Sequence, residues 1–189
     1  MTPKRYFDTE GGAFARTELD DRAGIEHGPG GFRMAEVDEP VKTLGHLVFA
    51  EVKEKGEEGA RRLDAGDFRG AFKLFMEALK PLPEPKQQWN AAGWLLVALG
   101  ENAIRAGNFE AAAKPFEDAM YCPGTIGNPW VHLRLGQVRF ELGELELAAD
   151  ELSRAYMGGG RDVFEGQDPK YFELVESVLE PPPGMDRLP

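Results

Sequence analysis

The chain contains only one cysteine, Cys122, and three histidines that lie far apart, His27, His46 and His132. A single cysteine cannot form an internal disulfide, and histidines at this spacing do not give the clustered donors of a metal site. Every apolar run is far shorter than the roughly 20 residues that a membrane-spanning helix needs. The first ten residues, MTPKRYFDTE, also lack the apolar core of a signal peptide. We therefore expect a cytoplasmic protein without a metal, a cofactor or a membrane span.

Basic side chains are too few to balance the acidic ones, and the 189 residues carry a net charge of −11. Residues 1–40 hold 5 basic and 9 acidic side chains, residues 162–189 hold 2 and 7, and the region between them holds 15 and 17. An acidic surface repels phosphate groups, so a nucleic-acid ligand is not expected. A protein or peptide partner, and a basic one in particular, fits this charge better.

The same pattern of small and large apolar residues occurs three times, and each copy follows a glycine. The copies are Gly66, Phe68, Ala71, Phe75 and Ala78; Gly107, Phe109, Ala112, Phe116 and Ala119; and Gly143, Leu145, Ala148, Leu152 and Ala155. Glycine permits the left-handed backbone with which a helix commonly ends before a tight reversal. The repetition therefore predicts helix-turn-helix units, with Asp67 and Asn108 as caps of the second helices. Asn128 and Asp168 each precede a proline, which is a start signal for two further helices.

The repeated pattern resembles that of the tetratricopeptide repeat (TPR) family, which runs W-x2-L-G-x2-Y, then A-x3-F, then A and P. The middle copy matches it best, at Leu96, Leu99, Gly100, Ala103, Gly107, Phe109, Ala112, Phe116, Ala119 and Pro123. The third copy has His132 and Arg139 at the two aromatic positions, and the first is polar at several apolar positions. The resemblance implies an all-α, right-handed array of three helix pairs over residues 44–160, with repeats at 46–83, 87–123 and 128–157.

Different sequence patterns flank the repeats. Residues 1–40 are rich in glycine and have no helical period, so we expect either a short β-hairpin or a flexible arm there. Residues 168–180 predict a helix that caps the exposed end of the array, and residues 181–189 predict a loose tail. Pro115 lies inside a predicted helix, where it removes a backbone hydrogen bond and favours a kink.

The TPR resemblance also implies candidate partner contacts, because the first helix of each pair lines the concave face of such an array. These candidates are Trp94, Val97, Glu101, Ile104, Arg105, Trp130, Leu133, Arg134, Gln137 and Phe140. Tryptophan and arginine often contribute most of the binding energy at protein interfaces. As an alternative, Trp94 or Trp130 wedges between helices and contributes only to packing.

Our main functional hypothesis is a non-enzymatic module, such as an adaptor, that binds a protein or peptide in its concave groove as a monomer or a weak homo-oligomer. One alternative is an immunity protein that neutralises a bacterial toxin, because the stretches 133–137, 155–157 and 170–172 resemble that group of proteins. Another is an enzyme or ligand sensor that uses residues 1–40. A third alternative is self-assembly, in which residues 1–40 occupy the groove of a second copy of the chain. No Ser-His-Asp, Cys-His or phosphate-loop pattern supports catalysis.

Overall fold

The computed structural model describes residues 45–189, and the regular secondary structure of this range is helical, without β-strands. The predicted hairpin or arm at residues 1–40 lies outside the described residues. The seven α-helices of the described range are α1 (His46–Asp64), α2 (Phe68–Leu79), α3 (Asn90–Arg105), α4 (Phe109–Ala119), α5 (Pro129–Glu141), α6 (Leu145–Gly159) and α7 (Pro169–Val178). Two short 3₁₀ turns, Lys86–Gln88 and Arg161–Phe164, precede α3 and α7.

Polar side chains cap four of these helices at the positions that the sequence predicts. The carboxylate of Asp67 accepts a hydrogen bond from the Gly70 amide, and the amide oxygen of Asn108 accepts one from the Ala111 amide. Asn128 and Asp168 each precede a proline in the first helical turn and accept from the second residue of α5 and α7. Each cap satisfies a backbone donor that the helix itself leaves unpaired, typically worth about 1 kcal/mol.

Tight turns join α1 to α2, α3 to α4 and α5 to α6, and each turn contains a glycine with positive φ. The φ angles of Gly66, Gly107 and Gly143 are 77°, 74° and 78°. The helices of each pair pack closely on each other, and successive pairs meet through the contacts of α2 with α3 and of α4 with α5. The described chain is therefore a stack of three helix pairs, with α7 packed on α6.

The connection between α2 and α3 differs from the prediction. The sequence pattern predicts a helix from Gln87, but a 3₁₀ turn covers Lys86–Gln88, Trp89 is extended and α3 begins at Asn90. The indole N–H of Trp89 donates a hydrogen bond of 2.9 Å to the carbonyl of Pro83. This contact folds the proline-rich connection back on itself, so that the regular helix begins later. At Pro115, in contrast, α4 continues without interruption.

The last residues correct the prediction of a loose tail. Leu188 is only 6% exposed and belongs to a hydrophobic cluster that also includes Leu133 of α5 and Phe172 of α7. The hydroxyl of Tyr156 donates a hydrogen bond of 3.1 Å to the carbonyl of Pro189. The segment after α7 therefore returns to the helical stack, where it buries one large apolar side chain in an apolar cluster.

Candidate functional site on the inner helices

We use the term inner face for the surface of α3 and α5 to which the sequence assigns the ten candidate contacts. The structure divides these residues into two groups. Five are buried and at most 9% exposed, namely Trp94, Val97, Glu101, Leu133 and Gln137. The other five, Ile104, Arg105, Trp130, Arg134 and Phe140, keep part of their surface exposed.

Trp94 is buried between helices, as in the packing alternative. Its ring meets Phe75 of α2 edge to face, with the ring centroids 6.4 Å apart. It also lies against Gly56 of α1, where an added Cβ would come within 2.5 Å of the indole. Trp94 therefore joins α1, α2 and α3, and it is a core residue rather than an accessible partner contact.

Val97 and Leu133 are also core residues, since neither has any exposed surface. Val97 belongs to the apolar cluster that contains Val131 and Val138 of α5, and Leu133 belongs to the cluster that contains Leu188. The placement on a groove surface needs correction for both side chains. The resemblance assigns both side chains to a groove surface, whereas neighbouring helices cover both of them.

A polar network connects the buried and the accessible residues of the inner face. The guanidinium of Arg134 donates to both carboxylate oxygens of Glu101, with 2.6 Å between Nη2 and Oε2, and its Nη1 donates to the side-chain oxygen of Gln137 over 2.6 Å. Gln137 in turn donates to the side-chain oxygen of Gln167 over 2.8 Å. The network links α3, α5 and the connection before α7. Sequence reasoning missed Gln167, which lies outside the repeats.

Arg134 also packs on an aromatic ring. Its guanidinium carbon lies 5.5 Å from the centroid of the Trp130 ring, within the range of a cation–π contact. The carboxylate of Glu101 fixes the arginine on one side and the indole of Trp130 fixes it on the other. The guanidinium therefore lies between a carboxylate and an aromatic ring.

At the far end of α5, residues of α7 pack against part of the inner face. The rings of Phe140 and Tyr171 meet edge to face at 5.4 Å. The carboxylate of Glu141 accepts hydrogen bonds of 2.7 Å from both Lys170 Nζ and the hydroxyl of Tyr171. These bonds, the one from Lys170 first, hold the pKa of Glu141 below its usual value. Burial, and then the bond to Glu141, raises the pKa of Tyr171 to about 12.

Arg105 lies near the other end of the inner face, where α3 ends. Its guanidinium makes a 3.0 Å ion pair with Asp64, the last residue of α1, and both side chains are well exposed. An exposed pair of this kind adds little to stability. Arg105 therefore lies on the surface, and its ion pair contributes little to holding the helices together.

One pair of titratable residues comes together only in the folded chain. Nδ1 of His132 on α5 lies 2.6 Å from Oε2 of Glu151 on α6, and His132 is 9% exposed. The sequence pattern does not connect the two residues, because they are 19 positions apart. The pair is mostly enclosed between two helices, where each side chain is the hydrogen-bonding partner of the other.

The single cysteine is a poor nucleophile at neutral pH. Cys122 is 1% exposed, and this burial raises the pKa of its thiol to about 11. Across residues 45–189, no group of three or more His, Cys, Asp or Glu side chains is placed to hold a metal ion. In the same range, no helix combines the length and the apolar character that crossing a bilayer requires.

No protein-family model, curated protein or solved structure with which the chain was compared matches it. The interpretation of the inner face therefore depends on its own residues and their geometry.

Proposed function

We propose that the chain is a non-enzymatic, TPR-like helical-repeat protein that binds a protein or peptide partner at the inner face. One observation carries the proposal. The Trp130 and Arg134 pair combines two residue types that are frequent in binding hot spots, and it is held in place by the carboxylate of Glu101 while part of both side chains stays exposed. Groups fixed before binding lose less conformational entropy when the partner arrives.

The accessible inner-face residues define a smaller site than the sequence suggests. In this proposal the partner contacts Arg105 and Ile104 at the end of α3, and Trp130, Arg134 and Phe140 along α5. The buried residues Trp94, Val97, Leu133 and Gln137 shape and support this surface. The TPR-like arrangement is supported by the three glycine-containing turns and by the same close approach of paired helices at Gly59, Gly100 and Gly136.

The charge of the chain favours a partner with a basic binding segment. The net charge is −11, and the arginine at the centre of the site is already paired with Glu101. Long-range attraction then mainly accelerates association, so the rate constant for binding should fall as salt is added.

A toxin-neutralising immunity protein would be a special case of this function. However, several of the residues that suggested an immunity protein have packing or ion-pair partners within the chain. Tyr156 packs against Phe172 with 5.7 Å between the ring centroids, Lys170 pairs with Glu141, and Arg134 bonds to Glu101. These residues therefore do not favour a toxin over another basic partner.

The test compares partner capture by the full wild-type chain with capture by Trp130→Ala. The matched control is Tyr121→Ala, which removes an aromatic side chain that is 75% exposed in the connection after α4. We expect a specific protein to be retained by the wild type and by Tyr121→Ala, and to bind Trp130→Ala at least tenfold more weakly. Quantitative mass spectrometry of pull-downs identifies the retained protein. Titration with the purified partner then measures its affinity for each chain.

Because Trp130 is half-buried, the folding of the variant must be checked by circular dichroism and thermal unfolding. If Trp130→Ala loses structure, Trp130→Phe retains ring packing and replaces it in the test. Undiminished partner binding by a folded Trp130 variant would contradict the proposed site.

A further inference from the structure

The segment after α7 inserts a single side chain into the helical stack. We call residues 180–189 the return segment. Residues 180–187 are all exposed, whereas Leu188 is 6% exposed. Leu188 joins a cluster whose other buried members come from α5, α6, α7 and the second 3₁₀ turn: Leu133, Leu152, Ala155, Phe164, Phe172 and Val175. One leucine therefore anchors a segment whose preceding residues are in water.

A local turn brings the return segment back to the helices. Three consecutive prolines, Pro181–Pro183, prevent α7 from continuing. The amide of Met185 donates a 3.0 Å hydrogen bond to the carbonyl of Pro182, and Gly184 has a φ of 87°. Proline followed by a glycine with positive φ is typical of a type II turn. The turn thus sets the direction of the segment locally.

The site that receives Leu188 is built from rigid elements. The aromatic ring of Phe172 on α7 lies 5.7 Å from that of Tyr156 on α6 and 5.1 Å from that of Phe164, between ring centroids. The guanidinium carbon of Arg161 lies 4.5 Å from the centroid of the Phe172 ring. The hydroxyl of Tyr156 donates to the main-chain carbonyl of Pro189 at the rim. The site therefore recognises an apolar side chain and the backbone carbonyl that follows it.

We infer that this pocket is an exchangeable peptide-binding site, which takes an extended segment with a leucine-like side chain and which the return segment occupies in the resting chain. The attachment described above consists of one buried side chain and one main-chain hydrogen bond. A short tether keeps such a segment near the pocket, with an effective concentration on the order of millimolar. A partner peptide that fills the same pocket and also contacts the surrounding surface can displace it.

The chemistry of the competing peptide follows from that of the resident one. It presents an aliphatic side chain to Phe172 and Phe164, and a carbonyl one residue later to the hydroxyl of Tyr156. An extended backbone is required, as in the proline-containing return segment. Trp130 packs against the same cluster, so the two proposed sites are neighbours. Their tests can still fail separately, because they use different variants and different probes.

The experiment uses the full chain with Leu188→Ala, which removes the resident side chain from the pocket. The probe is a fluorescein-labelled peptide with the sequence of residues 180–189, and fluorescence anisotropy measures its binding. We expect saturable binding to Leu188→Ala and at least tenfold weaker binding to the wild-type chain, in which the resident leucine competes. A peptide in which the leucine is replaced by alanine should bind at least tenfold more weakly than the parent peptide.

Three outcomes would overturn the inference: no saturable binding to the folded Leu188→Ala chain, equal affinity of the two peptides, or equal affinity of the two chains. A second variant, truncated after Leu179, shows whether the result is specific to the Leu188→Ala substitution. If both variants are unfolded by circular dichroism, the return segment is an integral part of the core and the pocket is not exchangeable. A wild-type dimer in light scattering that disappears with Leu188→Ala would support exchange, with a second copy as the occupant.

Discussion

At the scale of single residues, a glycine at the same place in each helix pair sets the distance between the two helices. A Cβ at Gly59, Gly100 or Gly136 would come within 2.6, 2.4 or 2.7 Å of a side chain on the partner helix. At Gly100 the neighbour is the ring of Phe116, which has no exposed surface and therefore has little room to move. The repeated glycine is thus a packing requirement as well as a sequence pattern.

Gly100→Ala should destabilise the chain. Alanine gains about 1 kcal/mol in helix propensity, but overpacking of a filled core costs about 1–3 kcal/mol, so a cost in the middle of that range leaves a net loss of about 1 kcal/mol. Urea denaturation followed by circular dichroism measures the change in the free energy of unfolding.

Phe116→Leu provides the control, because the smaller side chain leaves room for the new methyl group. The double variant should be more stable than the sum of the two single effects predicts. Strict additivity, or a Gly100→Ala chain as stable as the wild type, would contradict the packing argument.

At the scale of helices, α7 is attached to the end of α5 by a carboxylate whose pKa is lowered in the folded chain. Hydrogen bonds from Lys170 and Tyr171 stabilise the ionised form of Glu141. Since the folded pKa lies below the usual value of 4.5, this contribution is fully present above that pH. It is lost as the pH falls through the lower, folded pKa.

Glu141→Gln should therefore lower the free energy of unfolding at pH 7 by about 1 kcal/mol, the typical net value of one such hydrogen bond. The difference between wild type and variant should shrink as the pH falls below 4.5. Urea denaturation at a series of pH values measures it. Glu173→Gln, at an exposed position of α7, is the control and should show no comparable trend. A constant difference at all pH values would exclude the ionised form of Glu141 as the cause.

At the scale of the whole molecule, the network from Glu101 through Arg134 and Gln137 to Gln167 joins the middle helix pair to the third pair and to the connection before α7. The side chains of Arg134 and Glu101 are only 14% and 12% exposed. Removing one member leaves the other charge enclosed and unpaired, which typically costs about 3–5 kcal/mol.

Arg134→Met should therefore lower the free energy of unfolding by about 3 kcal/mol, because methionine keeps much of the apolar volume but leaves Glu101 without its partner. Adding Glu101→Gln should recover most of this loss, since the buried charge is then removed. Thermal and urea unfolding of the four chains of this cycle measure the coupling. Arg105→Met is the matched control, and the loss of its exposed pair with Asp64 should cost less than about 1 kcal/mol.

The sequence by itself determined the helical fold, the turns at Gly66, Gly107 and Gly143, and the caps at Asp67, Asn108, Asn128 and Asp168, because each depends on backbone preferences of residues that are close together in the chain. Only the tertiary structure decided that Trp94 and Val97 are covered, that Arg134 pairs with Glu101, and that Leu188 returns to the core. Those outcomes depend on how closely elements 30 or more residues apart approach each other, and local periodicity does not encode that distance.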